Sequence, residues 1–363
     1  MNIGIPRERR SFENRVGLTP NYVKMLTSQG HVCYIEHDAG LGAGFSDLEY
    51  EQSGGRIVYT PHEVFGRADL LLKAARPLIE EVAWLRPGTA LAGLLHLGSA
   101  RQDKIDQLLE NKITAIAYEQ ITLPDGTVPI RRPLSEIGGV LTAQIAALLL
   151  QSTTGGKGIL LGGIPGVPPA EVVIIGAGLA GTCAARAFLG MNAHVTMLDV
   201  NISALQQIHN ALPGVVTMIS NSVNIARACS YADVVIGSIY VPGERPPIVV
   251  TRQMIKDMKP RSVIMDTSID EGGCFETSRP TTHEHPTFIE EGVIHYCVPN
   301  MPSAVARTST YAFLNAAFPY IVELANKGIE ATIKSNSAIE HGIATYQGEI
   351  RHISRMSPMA QME

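Results

Sequence analysis

One stretch, Glu171-Val172-Val173-Ile174-Ile175-Gly176-Ala177-Gly178-Leu179-Ala180-Gly181, constrains the fold of this chain more than any other. Its first five residues, mostly β-branched, read as a buried strand. They run directly into G-x-G-x-x-G. Gly176 permits a tight turn, Gly178 lets backbone approach a pyrophosphate, and Gly181 lets a helix pack closely on the strand. Residues 180–189 read as that helix, whose free N–H groups and positive dipole end favour phosphate. A second strand over 194–198 leads to Asp199, 18 residues beyond Gly181. A carboxylate there accepts hydrogen bonds from the adenosine ribose and repels a 2′-phosphate, so the expected cofactor is NAD rather than NADP. A glycine triplet alone is weak in a chain with 34 glycines, and a ligand-free turn is the competing reading. Strand, turn, helix and acid in sequence favour the dinucleotide.

Around this unit, apolar runs alternate with helical spacing. Strands are expected over 1–5, 31–36, 69–73, 90–95, 113–117, 234–237 and 262–266, and helices over 20–29, 101–111 and 137–152. Strand, helix, strand in repetition argues an α/β chain with parallel sheets. The last 50 or so residues, from 308 on, read as helix. The 363 residues suffice for about two domains of roughly 150 residues each. With 45% hydrophobic and 17% charged residues, a sizeable core can be buried.

The bulk properties also exclude. A net charge of −5 with no basic stripe argues against nucleic acid. No apolar run reaches the roughly 18 residues of a membrane span. The start of the chain has no apolar stretch of the signal-peptide kind. Five cysteines without CxxC spacing suggest reduced thiols in the cytoplasm. No His, Cys or carboxylate spacing supports a metal.

Four residues stand where chemistry is done. Asp270, in Ile269-Asp270-Glu271-Gly272-Gly273, lies just beyond a strand of the dinucleotide unit, where ligands of doubly wound sheets sit. It orients an ammonium or a water, or caps a turn. His96 ends an apolar strand, and a histidine suits proton transfer, although a structural histidine fits the same spacing. Arg15 can clamp a carboxylate with its fork or sit exposed. Lys73, at the end of a short apolar strand, binds a substrate carboxylate or reaches solvent.

Several stretches together resemble the family of alanine dehydrogenase and the nicotinamide nucleotide transhydrogenase α subunit. They include Ile3-Gly4-Ile5-Pro6-Arg7-Glu8, Glu13-Asn14-Arg15-Val16, Leu95-His96-Leu97, Ala115-Ile116-Ala117-Tyr118-Glu119, the glycine turn, Asp270-Glu271-Gly272-Gly273-Cys274-Phe275-Glu276 and Asn300-Met301-Pro302. The resemblance covers nearly the whole chain. It implies two Rossmann-like domains, the dinucleotide domain (131–304) inserted within a discontinuous substrate domain (1–130 and 305–363). It also implies homohexamers and the reversible oxidative deamination of a small L-amino acid to a 2-oxo acid and ammonia. Arg15 then holds the substrate carboxylate, His96 is the acid/base, and Asp270 attends to water and amine. Ser135, Gly176, Gly178, Leu179, Ala180, Gly181, Asp199, Val200, Ser220, Ser238, Ile239, Ile269, Asp270, Asn300 and Met301 fall at positions around the cofactor.

The departures from the family pattern cluster on the substrate side. The family reads roughly Leu-Lys-Val-Lys-Glu-Pro where this chain has Leu72-Lys73-Ala74-Ala75-Arg76-Pro77, so the second lysine is replaced by Ala75. In a regular strand, residues 73 and 75 share a face and Arg76 points the other way. Arg131 and Arg132 are new before Ser135 and are candidate substrate contacts. Ala92-Gly93-Leu94 replace bulkier residues ahead of His96, which is expected to enlarge the pocket. These changes point to a substrate other than alanine, larger or additionally anionic. The competing readings are an enzyme that retains NAD and does net non-redox chemistry, a cyclodeaminase or lyase acting through a transient imine, and a non-catalytic NAD-binding homologue.

Overall fold

The computed structural model describes residues 1–241 and 244–353. Among the described residues the strands, in chain order, are β1 (Asn2–Ile5), β2 (Val32–Glu36), β3 (Arg56–Val58), β4 (Leu70–Ala75), β5 (Ala90–Leu94), β6 (Thr114–Ala117), β7 (Glu171–Ile175) and β8 (His194–Asp199). There follow β9 (Val215–Ile219), β10 (Val234–Gly237), β11 (Val263–Asp266), β12 (Thr287–Glu290), β13 (Val293–Tyr296), β14 (Ile343–Tyr346) and β15 (Glu349–Ile350). They form two sheets in two compact units, Met1–Leu134 with Ser303–Glu363, and Ser135–Pro302. The divisions fall at 134/135 and 302/303 instead of the expected 130/131 and 304/305. Helix Arg132–Leu149 starts in the first unit and continues into the second, so no loop marks that boundary.

In the first unit the strand order is β15-β14-β6-β5-β4-β1-β2-β3. β1 to β6 are mutually parallel, and the order reverses between β1 and β4. Parallel strands covered on both faces are mostly apolar, and all six residues of β4 are buried, Lys73 among them. Helix Pro20–Ser28 starts with Pro at its first position and ends before Gly30, whose φ is +86°. The segment after residue 303 contributes helix Ala306–Lys327, which sends Phe313, Leu314, Ala317 and Ile321 into the core beside Ile3 and Leu72.

The end of the described chain differs from the helical expectation. Ile343–Tyr346 is a strand, antiparallel to β6, and turns through Gln347 (φ +52°) and Gly348 (φ +85°) into β15. Two consecutive positive φ values make the tight hairpin turn that right-twisted strands prefer. The β-branched and aromatic content of Ile343-Ala344-Thr345-Tyr346 agrees with a strand.

The second unit has the order β12-β13-β11-β10-β7-β8-β9. From β9 to β13 the strands are parallel, with a reversal between β7 and β10; β12 adds an antiparallel edge. Both sheets are therefore doubly wound α/β sheets with antiparallel edges. In such sheets ligands bind outside the carboxyl ends of the strands where the order reverses. Among the described residues no helix is long and apolar enough to cross a membrane.

Candidate active site

The reversal point of the second unit lies at the ends of β7 and β10, and the glycine turn occupies it. Gly176 has φ +112°, and a Cβ there would stand 2.1 Å from the Ser238 carbonyl oxygen just past β10. A Cβ on Gly181 would stand 2.0 Å from the Gly176 carbonyl oxygen. Gly178, by contrast, has no atom within 4 Å of its would-be Cβ and caps the N-terminus of helix Leu179–Gly190. Two glycines serve close packing, and the third faces open space at a helix start that carries Leu179 and Ala180. That is the arrangement a pyrophosphate requires.

Asp199 ends the neighbouring β8. Its Oδ2 accepts the Ala177 N–H at 2.7 Å and its Oδ1 the Asn201 N–H at 2.7 Å. The carboxylate is half-buried and keeps lone pairs for a ribose diol. Val200 is exposed directly beyond it, and Ser220 donates its N–H to the Asp199 carbonyl at 2.9 Å. The residues present fit a dinucleotide.

The Ser238–Ile239 loop is joined to the loop after β11, where Ser268 Oγ accepts the Ile239 N–H at 2.9 Å. That second loop turns through the short helix Ile269–Glu271, burying Ile269 and exposing Asp270. Its two ends are tied to buried Asp266, whose Oδ1 accepts the Ser268 N–H and whose Oδ2 accepts the Cys274 N–H. Burial raises the Asp266 carboxyl above its usual range, against the pull of these donors. The Asn300 N–H donates to both Asp270 oxygens, at 3.1 and 3.2 Å, with Asn300 in the left-handed region (φ +53°) and Met301 buried next to it.

The reversal point of the first unit, at the ends of β1 and β4, holds a buried charge cluster. Glu8 lies three residues past β1, and its Oε1 accepts the N–H groups of Ala74 (2.7 Å) and Ala75 (3.3 Å). Its Oε2 is 3.0 Å from the Lys73 ammonium, which also donates to Glu81 Oε1 at 2.9 Å. Burial raises the Glu8 carboxyl, only partly offset by Lys73. Burial also acts to lower the Lys73 pKa, but Glu8 and Glu81 outweigh it and hold the ammonium above its usual value.

This corrects the expectation for Lys73. Its side chain is fully buried and engaged by two carboxylates, so it neither reaches solvent nor offers a loose cation. Nor is β4 the regular strand expected at residues 73, 75 and 76. Leu72 pairs with Ala92 but Ala75 with Leu94, so three steps along β4 match two along β5. This is a β-bulge, and Glu8 grips its N–H groups.

Arg15 is also not the exposed residue its surroundings in sequence allowed. It is 3% exposed, and its Nε and Nη2 fork onto the two Glu13 oxygens at 2.7 and 2.6 Å. The pair lines a pocket of about 360 Å³ with Glu8, Arg7, Arg10 and Asp38. Ahead of His96, Ala92 lies in the core, and a Cβ on Gly93 would stand 2.5 Å from the Lys73 carbonyl. The small residues there serve the close approach of β4 and β5 rather than pocket space. Arg131 is half-buried in the turn before helix Arg132–Leu149; Arg132 is exposed as its first residue, and Ser135 is half-buried within it.

His96 follows β5 by two residues. It is exposed, flanked by buried Leu95 and Leu97, and its backbone is left-handed (φ 42°, ψ 46°). Glu119 accepts the N–H groups of both Leu95 and His96. The sequence reading gave Glu8, Glu13, Asp266 and Glu119 no role. Three of the four sit at or within a few residues of a strand's carboxyl end, the one signal that could have marked them.

The N-terminal domain model of the alanine dehydrogenase/PNT family matches residues 4–138, and its C-terminal domain model matches 142–353. The chain belongs to the alanine dehydrogenase/PNT family. It is 46% identical to the alanine dehydrogenase of Staphylococcus haemolyticus over 355 residues, 97% of this chain and 94% of that protein. It is 45% identical to the alanine dehydrogenase of Mycobacterium tuberculosis over 351 residues, covering 96% and 94%. Among solved structures, an L-alanine dehydrogenase superposes with a TM-score of 0.93 at 40% identity, covering 97% of each chain. A transhydrogenase from Sinorhizobium meliloti, at 22% identity and a TM-score of 0.80 over 97% of this chain and 99% of its own, shares the fold. The chain is an NAD-dependent oxidoreductase of the class acting on CH–NH₂ groups.

Proposed function

We propose that this enzyme oxidatively deaminates a small L-amino acid that is not mainly alanine, using Arg15 for the substrate carboxylate and His96 and Asp270 for proton handling. NAD, when bound, accepts the hydride from the substrate Cα. Arg15, oriented by Glu13, presents a guanidinium to the substrate carboxylate. His96 takes up the proton released as the amine gives way to a carbonyl and water enters. Asp270, aimed by the Asn300 N–H, orients the water and the departing ammonia. The balance is amino acid, NAD⁺ and water giving 2-oxo acid, ammonium, NADH and a proton.

The observation that supports an altered pocket is the state of β4. The family's substrate lysine falls at Ala75, and Lys73 is already engaged by Glu8 and Glu81. β4 therefore offers the substrate no second cation, which favours a substrate whose extra bulk or charge is met elsewhere, with Arg131 and Arg132, the new arginines before Ser135, the proposed contacts. The enzyme is also proposed to form the homohexamer the family resemblance implies, which light scattering on the purified chain reads directly.

The test is NADH formation with a panel of L-amino acids, and NADH consumption with the matching 2-oxo acids and ammonia. A bulkier or acidic amino acid is expected to be turned over best. Alanine as the best substrate would overturn the altered pocket and leave the dehydrogenase standing. Ala75→Lys adds a second arm: the altered pocket predicts little gain in alanine oxidation, and a large gain marks a weakened alanine enzyme instead.

A further inference from the structure

We infer that Glu119 is a positioning residue for His96, holding the backbone that aims the imidazole. The inference rests on the reading of His96 as the acid/base.

β5 ends at Leu94, and the next two N–H groups leave the sheet ladder. One carboxylate receives both: Glu119 Oε2 takes the Leu95 N–H at 3.0 Å and Oε1 takes the His96 N–H at 2.5 Å. Glu119 comes from the short helix Tyr118–Gln120 after β6, the strand beside β5, so its side chain spans the ends of adjacent strands. Both ends of this grip adjoin buried residues. Tyr118 is fully buried in the core on one face of the sheet, and Leu95 is fully buried in the cluster on the other.

The grip matters because of the backbone it holds. With φ at 42°, His96 occupies the left-handed region, which an L-residue other than glycine keeps only when its surroundings hold it there. That turn makes the pattern buried Leu95, exposed His96, buried Leu97. Relaxed to ordinary φ, the peptide would rotate and carry the imidazole away from where it now points. Two charge-assisted bonds to successive N–H groups oppose that rotation. A glutamine at 119 has one acceptor oxygen instead of two, and its NH₂ would face an N–H donor. An aspartate keeps both oxygens one methylene short.

The experiment is a mutant cycle on the full chain with the best substrate of the panel: Glu119→Gln, His96→Ala, the double variant, and Glu119→Asp. Turnover, KM, NADH affinity by fluorescence titration and the urea midpoint are measured for each. Glu119→Gln is expected to lower kcat roughly 10- to 100-fold with NADH affinity unchanged, the scale of an ångström-level misplacement. In the His96→Ala background the same change is expected to cost less than about threefold more, because there is no imidazole left to aim. Glu119→Asp is expected to recover part of the loss.

Losses that multiply in the double variant would make Glu119 a general structural residue and overturn the inference. So would wild-type kcat in Glu119→Gln while His96→Ala is inactive. Full turnover in His96→Ala would instead overturn the underlying reading of His96, and the inference with it.

Discussion

Lys73→Met tests whether the buried cluster at the β1/β4 reversal is held by its charges. Methionine fills a similar volume and removes only the ammonium. The wild-type contacts are 3.0 Å to Glu8 and 2.9 Å to Glu81, all three side chains being nearly or fully excluded from solvent. At an effective dielectric near 20, each contact is worth roughly 5 kcal/mol of Coulomb attraction, set against the desolvation of all three groups. Removing one partner of such a cluster typically costs about 3–5 kcal/mol. A stranded carboxylate can escape by taking up a proton. From an ordinary carboxylate value of 4.5, that escape costs about 3.4 kcal/mol at pH 7 but only about 0.7 at pH 5.

The sign follows from Glu8. Burial already raises its folded pKa, and losing Lys73 raises it further. A raised folded pKa contributes stability below the unfolded value that is lost as pH rises through the folded one. The variant therefore loses more than the wild type between pH 5 and 7. The penalty is expected near 3–5 kcal/mol at pH 7 and below about 2 at pH 5. Urea unfolding at both pH values measures it, followed by Trp84, the chain's single tryptophan, which directly follows the Glu81-bearing helix Ile79–Ala83. A penalty under about 1 kcal/mol at pH 7, or one equal at both pH values, would refute the argument.

The cofactor cradle yields two further predictions. Gly181→Ala puts a methyl group 2.0 Å from the Gly176 carbonyl, so the helix must back away from the turn; NADH affinity is expected to fall at least about tenfold in a fluorescence titration, while Trp84-detected unfolding stays put. Asp199→Asn removes the charge that disfavours a 2′-phosphate, and the preference for NADH over NADPH is expected to shrink at least about tenfold; an unchanged ratio of the two affinities would assign that preference to other residues.

What the sequence disclosed and what it concealed divide by range. The turn at 176–181 and its acid at 199 are local signals: glycine spacing, β-branched strand and chain distance are all readable in one window. β12, β13 and the hairpin at the end of the chain are short, and the hairpin follows three successive helices, Ala306–Lys327, Ile329–Ser335 and Ser337–His341, so helical periodicity ran on over it. The cluster at the β1/β4 reversal is a long-range fact. Glu8 meets Ala74 from 66 residues away, and no periodicity announces it. A lysine and two glutamates read as surface residues until topology brings the ends of β1 and β4 side by side. The left-handed backbone at His96 was hidden for a related reason, since it depends on a carboxylate 23 residues on.

The cluster also bears on what Ala75 means. A change at residue 75 that shifted the register of β4 would blur any functional test. Here the backbone of that position is held independently of its side chain: Glu8 accepts the Ala74 and Ala75 N–H groups, Lys73 neutralises Glu8, and Ala75 pairs with Leu94 past the bulge. None of these contacts involves the residue 75 side chain beyond its Cβ. A lysine restored at 75 thus enters a strand end whose geometry is already set, and its effect on alanine oxidation reports on the added ammonium and not on a refolded strand. Lys73→Met is the control for that experiment. If the cluster proves weak, the bulge is free to shift, and an inactive Ala75→Lys variant no longer distinguishes pocket chemistry from a displaced strand.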